Sequence, residues 1–331
     1  MDPIVLHKHS MVTPSPVALR ESEPVVARYS LTFSAVPPTP HLPDPAFCSL
    51  RHLLYCIFCL PLRSIHNQTF PLIDDHLTMD NSLQGKVAVI SASDSGIGAQ
   101  IARDFSSSGA NVVINYPFPS VAERAQKVVA SLSHPGIAVE ADLSTTTGPQ
   151  SLIDATVAAY GKIDIVVNNA GIAINLPFEE QTLDHWDSLL NLNCRATFLL
   201  TQAALPHLAK KDSRIINICS ISARAAPPMQ TIYAGTKGMV DSMTRVWAKE
   251  LPPKYGCTVN SVSPGPTKTE GFAAAGEEMM KLLKPVIDST PSGPRLGETA
   301  EIAYAVLMLA LPRASWINGV QLVASGGHFM M

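Results

Sequence analysis

The sequence predicts an α/β protein: a single domain on a doubly wound parallel sheet with helices on both faces, preceded by a disordered N-terminal extension. Three observations carry this. Short β-branched apolar runs without alternation recur from Lys86 onward, as strands buried on both faces require. Helical stretches separate them, so successive strands are joined by crossovers and run parallel. Composition also breaks near Met79. The first 84 of 331 residues hold none of the 19 glycines but 11 of the 27 prolines, which removes them from the folded sheet.

Residues 1–80 come first. The run from Val36 to Pro45 places five prolines in ten residues and sustains neither a helix nor a central strand. The segment reads as disordered or loosely attached. Scattered arginines suit an organelle-targeting extension, and Glu21, Glu23, Asp74 and Asp75 oppose it. An upstream stretch ahead of a protein that starts at Met79 is the other reading. Cys56 and Cys59 form a CxxC inside an apolar run, where packing explains them better than metal or redox chemistry. Leu53 to Leu60 is far shorter than the roughly 20 apolar residues of a membrane span. The sequon at Asn67 matters only on a secretory route.

Residues 81–331 form the domain. Six strands are expected, at Lys86–Ser91, Asn111–Tyr116, Gly136–Glu140, Lys162–Asn169, Ser213–Ser220 and Cys257–Ser263. Helices are expected at Gly98–Ser107, Val121–Ser131, Pro149–Tyr160, His185–Leu208 and Tyr233–Glu250. In such a sheet, ligands bind beyond the carboxyl ends of the strands. A net charge of −3 calls for neither nucleic acid nor an anionic membrane, and no metal-ligand spacing or disulfide framework stands out. A cytoplasmic protein is the expectation.

The strand ends carry the chemistry. The first runs through Ser91, Ala92, Ser93, Asp94, Ser95, Gly96, Ile97 and Gly98 into a helix. This small-residue turn aims backbone N–H groups and a helix's positive end at a phosphate. The second ends at Tyr116 without the acidic residue that bonds ribose hydroxyls, which favours a 2′-phosphate; Asp94 argues the other way. Asp142 and Leu143 follow the third strand, where a turn or N-cap also explains an aspartate. Asn168, Asn169, Ala170 and Gly171 close the fourth. Tyr233 and Lys237, four apart, share a helix face. A free tyrosine has a pKa of about 10, and a nearby ammonium favours its phenolate. Ser220 ends the fifth strand, and the sixth ends in Ser263-Pro264-Gly265-Pro266-Thr267-Lys268-Thr269.

Together these segments resemble the short-chain dehydrogenases/reductases. The first loop is similar to their TGxxxGIG, with Ser91 for the threonine and Ala92 for the first glycine. The closing stretches Arg295–Glu298 and Asn318–Gly327 also match, so the resemblance spans roughly Gly85 to Gly327. It implies a Rossmann-like fold and hydride transfer. It implies catalytic residues Asn193, Ser220, Tyr233 and Lys237; Asn191 competes with Asn193, and the spacing from Trp186 favours the latter. It implies cofactor binding by Ser91, Ser93, Ser95, Gly96, Ile97, Gly98, Tyr116, Asp142, Leu143, Asn169, Ala170, Gly171, Tyr233, Lys237, Pro264, Gly265, Thr267 and Thr269. The implied cofactor is NADP(H), with NAD(H) the alternative, and the resemblance has Asn193 help to hold a water that leads to Lys237. The implied substrate is a small-molecule ketone, apolar and aromatic or polyketide-like, as for tetrahydroxynaphthalene and 3-oxoacyl-carrier-protein reductases. Its lid is Glu270–Pro294, including Met279 and Met280, and its wall includes Arg224 and Ala225–Met229. A homo-oligomer, dimer or tetramer, is expected through the two long helices. The rival functions are a non-catalytic cofactor sensor or scaffold and an NAD-dependent alcohol dehydrogenase.

Overall fold

Apolar residues are buried on both faces of every central strand, and the helices fall where that burial needs cover. In the computed structural model, residues 81–273 and 276–331 are described, all within one unit that runs from Leu72 to Met331. The expectations for residues 1–80 and for the Met279–Met280 side chains lie outside the described residues.

The strands are β1 (Val87–Ile90), β2 (Asn111–Tyr116), β3 (Gly136–Glu140), β4 (Ile165–Asn168), β5 (Ser213–Ile218), β6 (Cys257–Pro264), β7 (Thr267–Lys268), β8 (Gly297–Glu298) and β9 (Gln321–Ala324). The principal helices are α1 (Gly96–Ser107), α2 (Ala122–Ala130), α3 (Gly148–Tyr160), α4 (Leu183–Leu189), α5 (Ala196–Ala204), α6 (Thr231–Glu250), α7 (Glu270–Ala273), α8 (Gly276–Asp288) and α9 (Thr299–Ala310). Seven strands form one all-parallel sheet in the order β3-β2-β1-β4-β5-β6-β9. The order reverses between β1 and β4, which opens a crevice at their carboxyl ends.

Residues alternate between two cores. Ala88, Ile90, Ile114, Val167 and Ile216 face one that is covered by Ile101 and Phe105 of α1, Val128 of α2 and Ile302 and Val306 of α9. Val89, Val113, Val166 and Ile215 face the other, under Leu152 of α3, Leu200 of α5 and Ala248 of α6. Fully burying one such side chain contributes about 1.5–3 kcal/mol.

Two expectations change. The sheet has a seventh strand, β9, in the closing segment, and α9 in front of it, which the reading missed. The long helix at 185–208 is not uniform: six residues, Leu190–Arg195, form a π-helical stretch between α4 and α5. Wide turns of this kind recur at functional sites. The expected lid holds α7 and α8, and just beyond it the two-residue strand β8 pairs with β7. Among the described residues, no helix is long and apolar enough to cross a membrane, and no cluster of metal-ligating side chains occurs. Cys194, Cys219 and Cys257 are free and buried.

Candidate active site

The crevice is built first by hydroxyls and amides that knit the strand ends together. Ser91 Oγ accepts from the amides of Asn169 and Ala170, both at 2.8 Å, and donates to Val167 O. Ser93 Oγ donates to Ile90 O at 2.7 Å and accepts from Asn115 N. The hydroxyls of Ser91 and Ser93 are therefore engaged inside the protein; they brace the loop rather than reach out of it. The Asn169 amide donates to Ser91 O and Ala92 O. Asn115, which sequence reasoning missed, takes Ala92 N on Oδ1 and donates to Ala141 O, tying the loop to β2 and β3.

Above this frame lies an anion cradle. Ser95 precedes α1 without a side-chain cap, so the first N–H groups of a 12-residue helix point outward. Gly96 has φ +56°, a conformation glycine adopts without strain. Its N–H donates to Glu270 Oε2 at 2.9 Å, so an anion already stands at the helix's positive end. Gly98 is held to glycine by close approach: a Cβ there would lie 2.5 Å from Ala92 O. Ile97 packs against the core. These features fit the pyrophosphate of the implied dinucleotide. Ala92 has φ +47°, so the family's first glycine is replaced where a side chain is strained.

The flanking residues fall around the same crevice. Tyr116 ends β2, half-buried. Asp142 Oδ1 accepts from the amide and hydroxyl of Ser144, which is the turn-forming part of its role; Leu143 lies in the core. Pro264 O accepts from Ile221 N, Gly265 N donates to Ala324 O, and Thr267 Oγ1 donates to Gly265 O. Thr269 Oγ1 accepts from Phe272 N, which leaves its proton free to donate, and its side chain lies over Gly96.

The residues expected to be catalytic converge at the ends of β4 and β5. Tyr233 and Lys237 lie one turn apart on α6, with Lys237 Nζ 6.0 Å from the Tyr233 ring centre. Lys237 is 4% exposed. Its Nζ donates to Ile218 O at 2.8 Å, and a Cβ on Gly171 would lie 3.3 Å from it. No carboxylate pairs with this buried ammonium among the described residues, so its charge is left for the crevice. Ser220 Oγ accepts from Ser222 N at 3.1 Å, which leaves its proton free to donate.

Asn193 sits in the π-helical stretch, 1% exposed. Its Nδ2 donates to Ile172 O and Thr236 Oγ1, and its Oδ1 accepts from Ile172 N. Both amide hydrogens are thus engaged by protein, so the side chain holds the Gly171–Ile172 segment over Lys237. Thr236, also missed, donates to Tyr233 O and joins Asn193 to the tyrosine's turn. Two thiols adjoin the lysine. Burial pushes Cys194 up to about 11 and raises Cys219, against the opposing Lys237 charge; both stay neutral.

Some expected parts lie elsewhere. Arg224 donates to Asp241 Oδ2 at 2.9 Å, which turns its guanidinium onto α6. The Ala226 and Met229 backbones have φ +50° and +66°, a strained loop ahead of Tyr233. A cavity of about 530 Å³ beyond β9 is lined by Gln321, Arg295 and Phe329; Ser220, Tyr233 and Lys237 do not line it. Glu270 and Arg124 escaped the sequence because their partners, Gly96 and Asp94, lie 174 and 30 residues away.

The chain matches known proteins over this whole region. A family model described as enoyl-(acyl carrier protein) reductase matches residues 91–328. The short-chain dehydrogenase/reductase FrzI of Cladobotryum is 37% identical over 254 residues, which cover 74% of this chain and 96% of FrzI. The hydroxynaphthalene reductase arp2 of Aspergillus fumigatus is 35% identical over 249 residues, covering 72% and 90%. A short-chain dehydrogenase from Burkholderia cenocepacia, solved in complex with NADP, superposes with a TM-score of 0.69 at 35% identity, over 75% of this chain and 99% of that one.

Proposed function

This chain belongs to the short-chain dehydrogenase/reductase family of oxidoreductases, and from that premise we propose that it is an NADP(H)-dependent reductase of an apolar, aromatic or polyketide-like ketone, with Tyr233 as proton donor. The observation that carries the reading is the buried Lys237 ammonium, 6.0 Å from the Tyr233 ring and free of any carboxylate among the described residues. The NADP held by the Burkholderia relative and the hydroxynaphthalene named for the Aspergillus relative support the cofactor and the substrate class.

When bound, the dinucleotide supplies the hydride. The chain's own residues do the rest. Ser220 and Tyr233 hold the ketone oxygen through hydroxyl protons, and Tyr233 transfers its proton to that oxygen. Lys237 stabilises the phenolate left behind and anchors the ribose. Asn193 and Thr236 keep Lys237, Tyr233 and Gly171 in register. Gly96, Gly98 and the N-terminus of α1 take the pyrophosphate, and Tyr116 and Asp142 border the adenosine. Residues 81–331 form the catalytic domain, and residues 1–80 are dispensable for it. The protein self-associates through α4, α5 and α6, where Trp186, Phe198, Met239 and Val246 are exposed. Its free thiols suit the reducing cytoplasm.

Tyr233→Phe tests this. Against a panel of aromatic ketones, NADPH oxidation falls by about 10²- to 10⁴-fold, the usual contribution of a positioned acid, while NADPH affinity and melting temperature hold. A folded Y233F enzyme with near-normal turnover ends the assignment.

A further inference from the structure

We propose that Arg124, posted on the buried carboxylate of Asp94, selects NADP(H) over NAD(H) by binding the 2′-phosphate; this rests on the NADP(H) reading above. In a sheet of this strand order the adenosine ribose lies at the carboxyl end of β2. That end is Tyr116, which has no carboxylate to hold the two ribose hydroxyls of NAD(H). The β1–α1 turn is sewn to the same place, since Ser93 N donates to Asn115 O at 3.0 Å and Ala92 N to Asn115 Oδ1 at 2.9 Å. Asp94 sits in that turn at 4% exposure. Alone, so buried a carboxylate repels a phosphate beside it.

Asp94 is not alone. From α2, the helix after β2, Arg124 reaches back and donates to Asp94 Oδ2 through Nε at 2.7 Å and through Nη2. Two of the guanidinium's five N–H donors are thereby engaged. Its Nη1 makes no hydrogen bond among the described residues, and the side chain is 50% exposed. The free edge is a planar pair of donors, the geometry that grips a phosphate in two places. Asp94 acts here as the post that fixes Arg124 before the ligand arrives, which lowers the ordering cost of binding. Other cations on α1 and α2 are committed elsewhere: Arg103 to Gln100 and Ser131, Lys127 to Glu123.

The test is calorimetric and needs no turnover. Full-length protein is titrated with 2′,5′-ADP and with 5′-AMP, which differ by the 2′-phosphate. Wild type binds 2′,5′-ADP at least about ten-fold tighter, a difference of about 1.4 kcal/mol. Arg124→Gln loses that preference by weakening 2′,5′-ADP about ten-fold, with 5′-AMP unchanged within about two-fold; Arg124→Lys, a point charge without the fork, falls between. A wild type without preference overturns the NADP(H) reading and this proposal with it. A wild type with preference and an R124Q variant that keeps it overturns the role of Arg124 alone. If R124Q unfolds because Asp94 is left unpaired, the double variant Asp94→Asn with Arg124→Gln carries the same comparison: retained preference refutes the proposal and lost preference supports it.

Discussion

Ala92 shows how one side chain departs from its family without loss of the fold. Its φ of +47° costs an L-residue about 1–2 kcal/mol. Asn115 Oδ1 on its N–H and Asn169 Nδ2 on its carbonyl hold it there regardless. Ala92→Gly relieves that strain but loses about 0.5–1 kcal/mol to the freer unfolded chain. The variant is therefore stabilised by roughly 0.5–1 kcal/mol, a rise of about 1–4 °C in melting temperature for a domain of this size. A lowered midpoint in a thermal melt contradicts the account. The substitution was visible in the sequence, since Ala92 stands where the resemblance puts glycine; that the position is left-handed came only with the backbone. The placement of Ser220, Tyr233 and Lys237 about one crevice was legible because each has a local signature at a strand end or helix turn. Asn193 was legible in place but not in action, because its amide bonds run to Ile172 and to Thr236, 43 residues on.

Whole elements were legible where burial shapes the sequence. The apolar runs that became β1, β2, β4, β5 and β6 face two cores at once, as parallel interior strands do, and β3, at an edge, was read from a run of the same kind. β9 escaped because it is an edge, with only Gln321 of its four residues buried, so no unbroken apolar run announces it. The π-helical stretch escaped because no residue type marks the local switch to i→i+5 bonding inside a continuous helical run. Segment 270–294 was read as a lid, and α7 gives that reading a lever. Glu270 sits on Gly96 N–H, the donor we assign to the pyrophosphate, so on that assignment lid and ligand compete for one site. Charges at helix ends are worth about 0.3–1 kcal/mol, so Glu270→Gln binds NADPH roughly two- to five-fold tighter. A fluorescence titration of NADPH measures this, and an unchanged or weaker dissociation constant shows that carboxylate and phosphate do not share the donor.

At the scale of the whole molecule, the question is how much of the chain the reaction needs. The core begins with Leu83, 1% exposed, which packs with Phe105 and Ala110, and Gly85 N donates to Gly109 O to close that edge. Everything named in the crevice lies beyond this point, from Ser91 onward. The matched stretches cover 74–75% of this chain and 96–99% of two of its relatives, and the family model matches residues 91–328. Residues 1–80 hold none of the chain's 19 glycines, and this compositional break is what led the sequence reading to set them apart. A chain that starts at Met79 keeps Leu83 and Gly85 and therefore the whole of the first core. It melts within about 1 °C of the full-length protein, because 1 kcal/mol moves a domain of this size by about 2–4 °C and every core residue among the described residues is kept. Its kcat/KM for the best ketone of the panel stays within about two-fold. A drop of several degrees, or a loss of NADPH binding, assigns residues 1–80 to the catalytic domain and moves its boundary upstream.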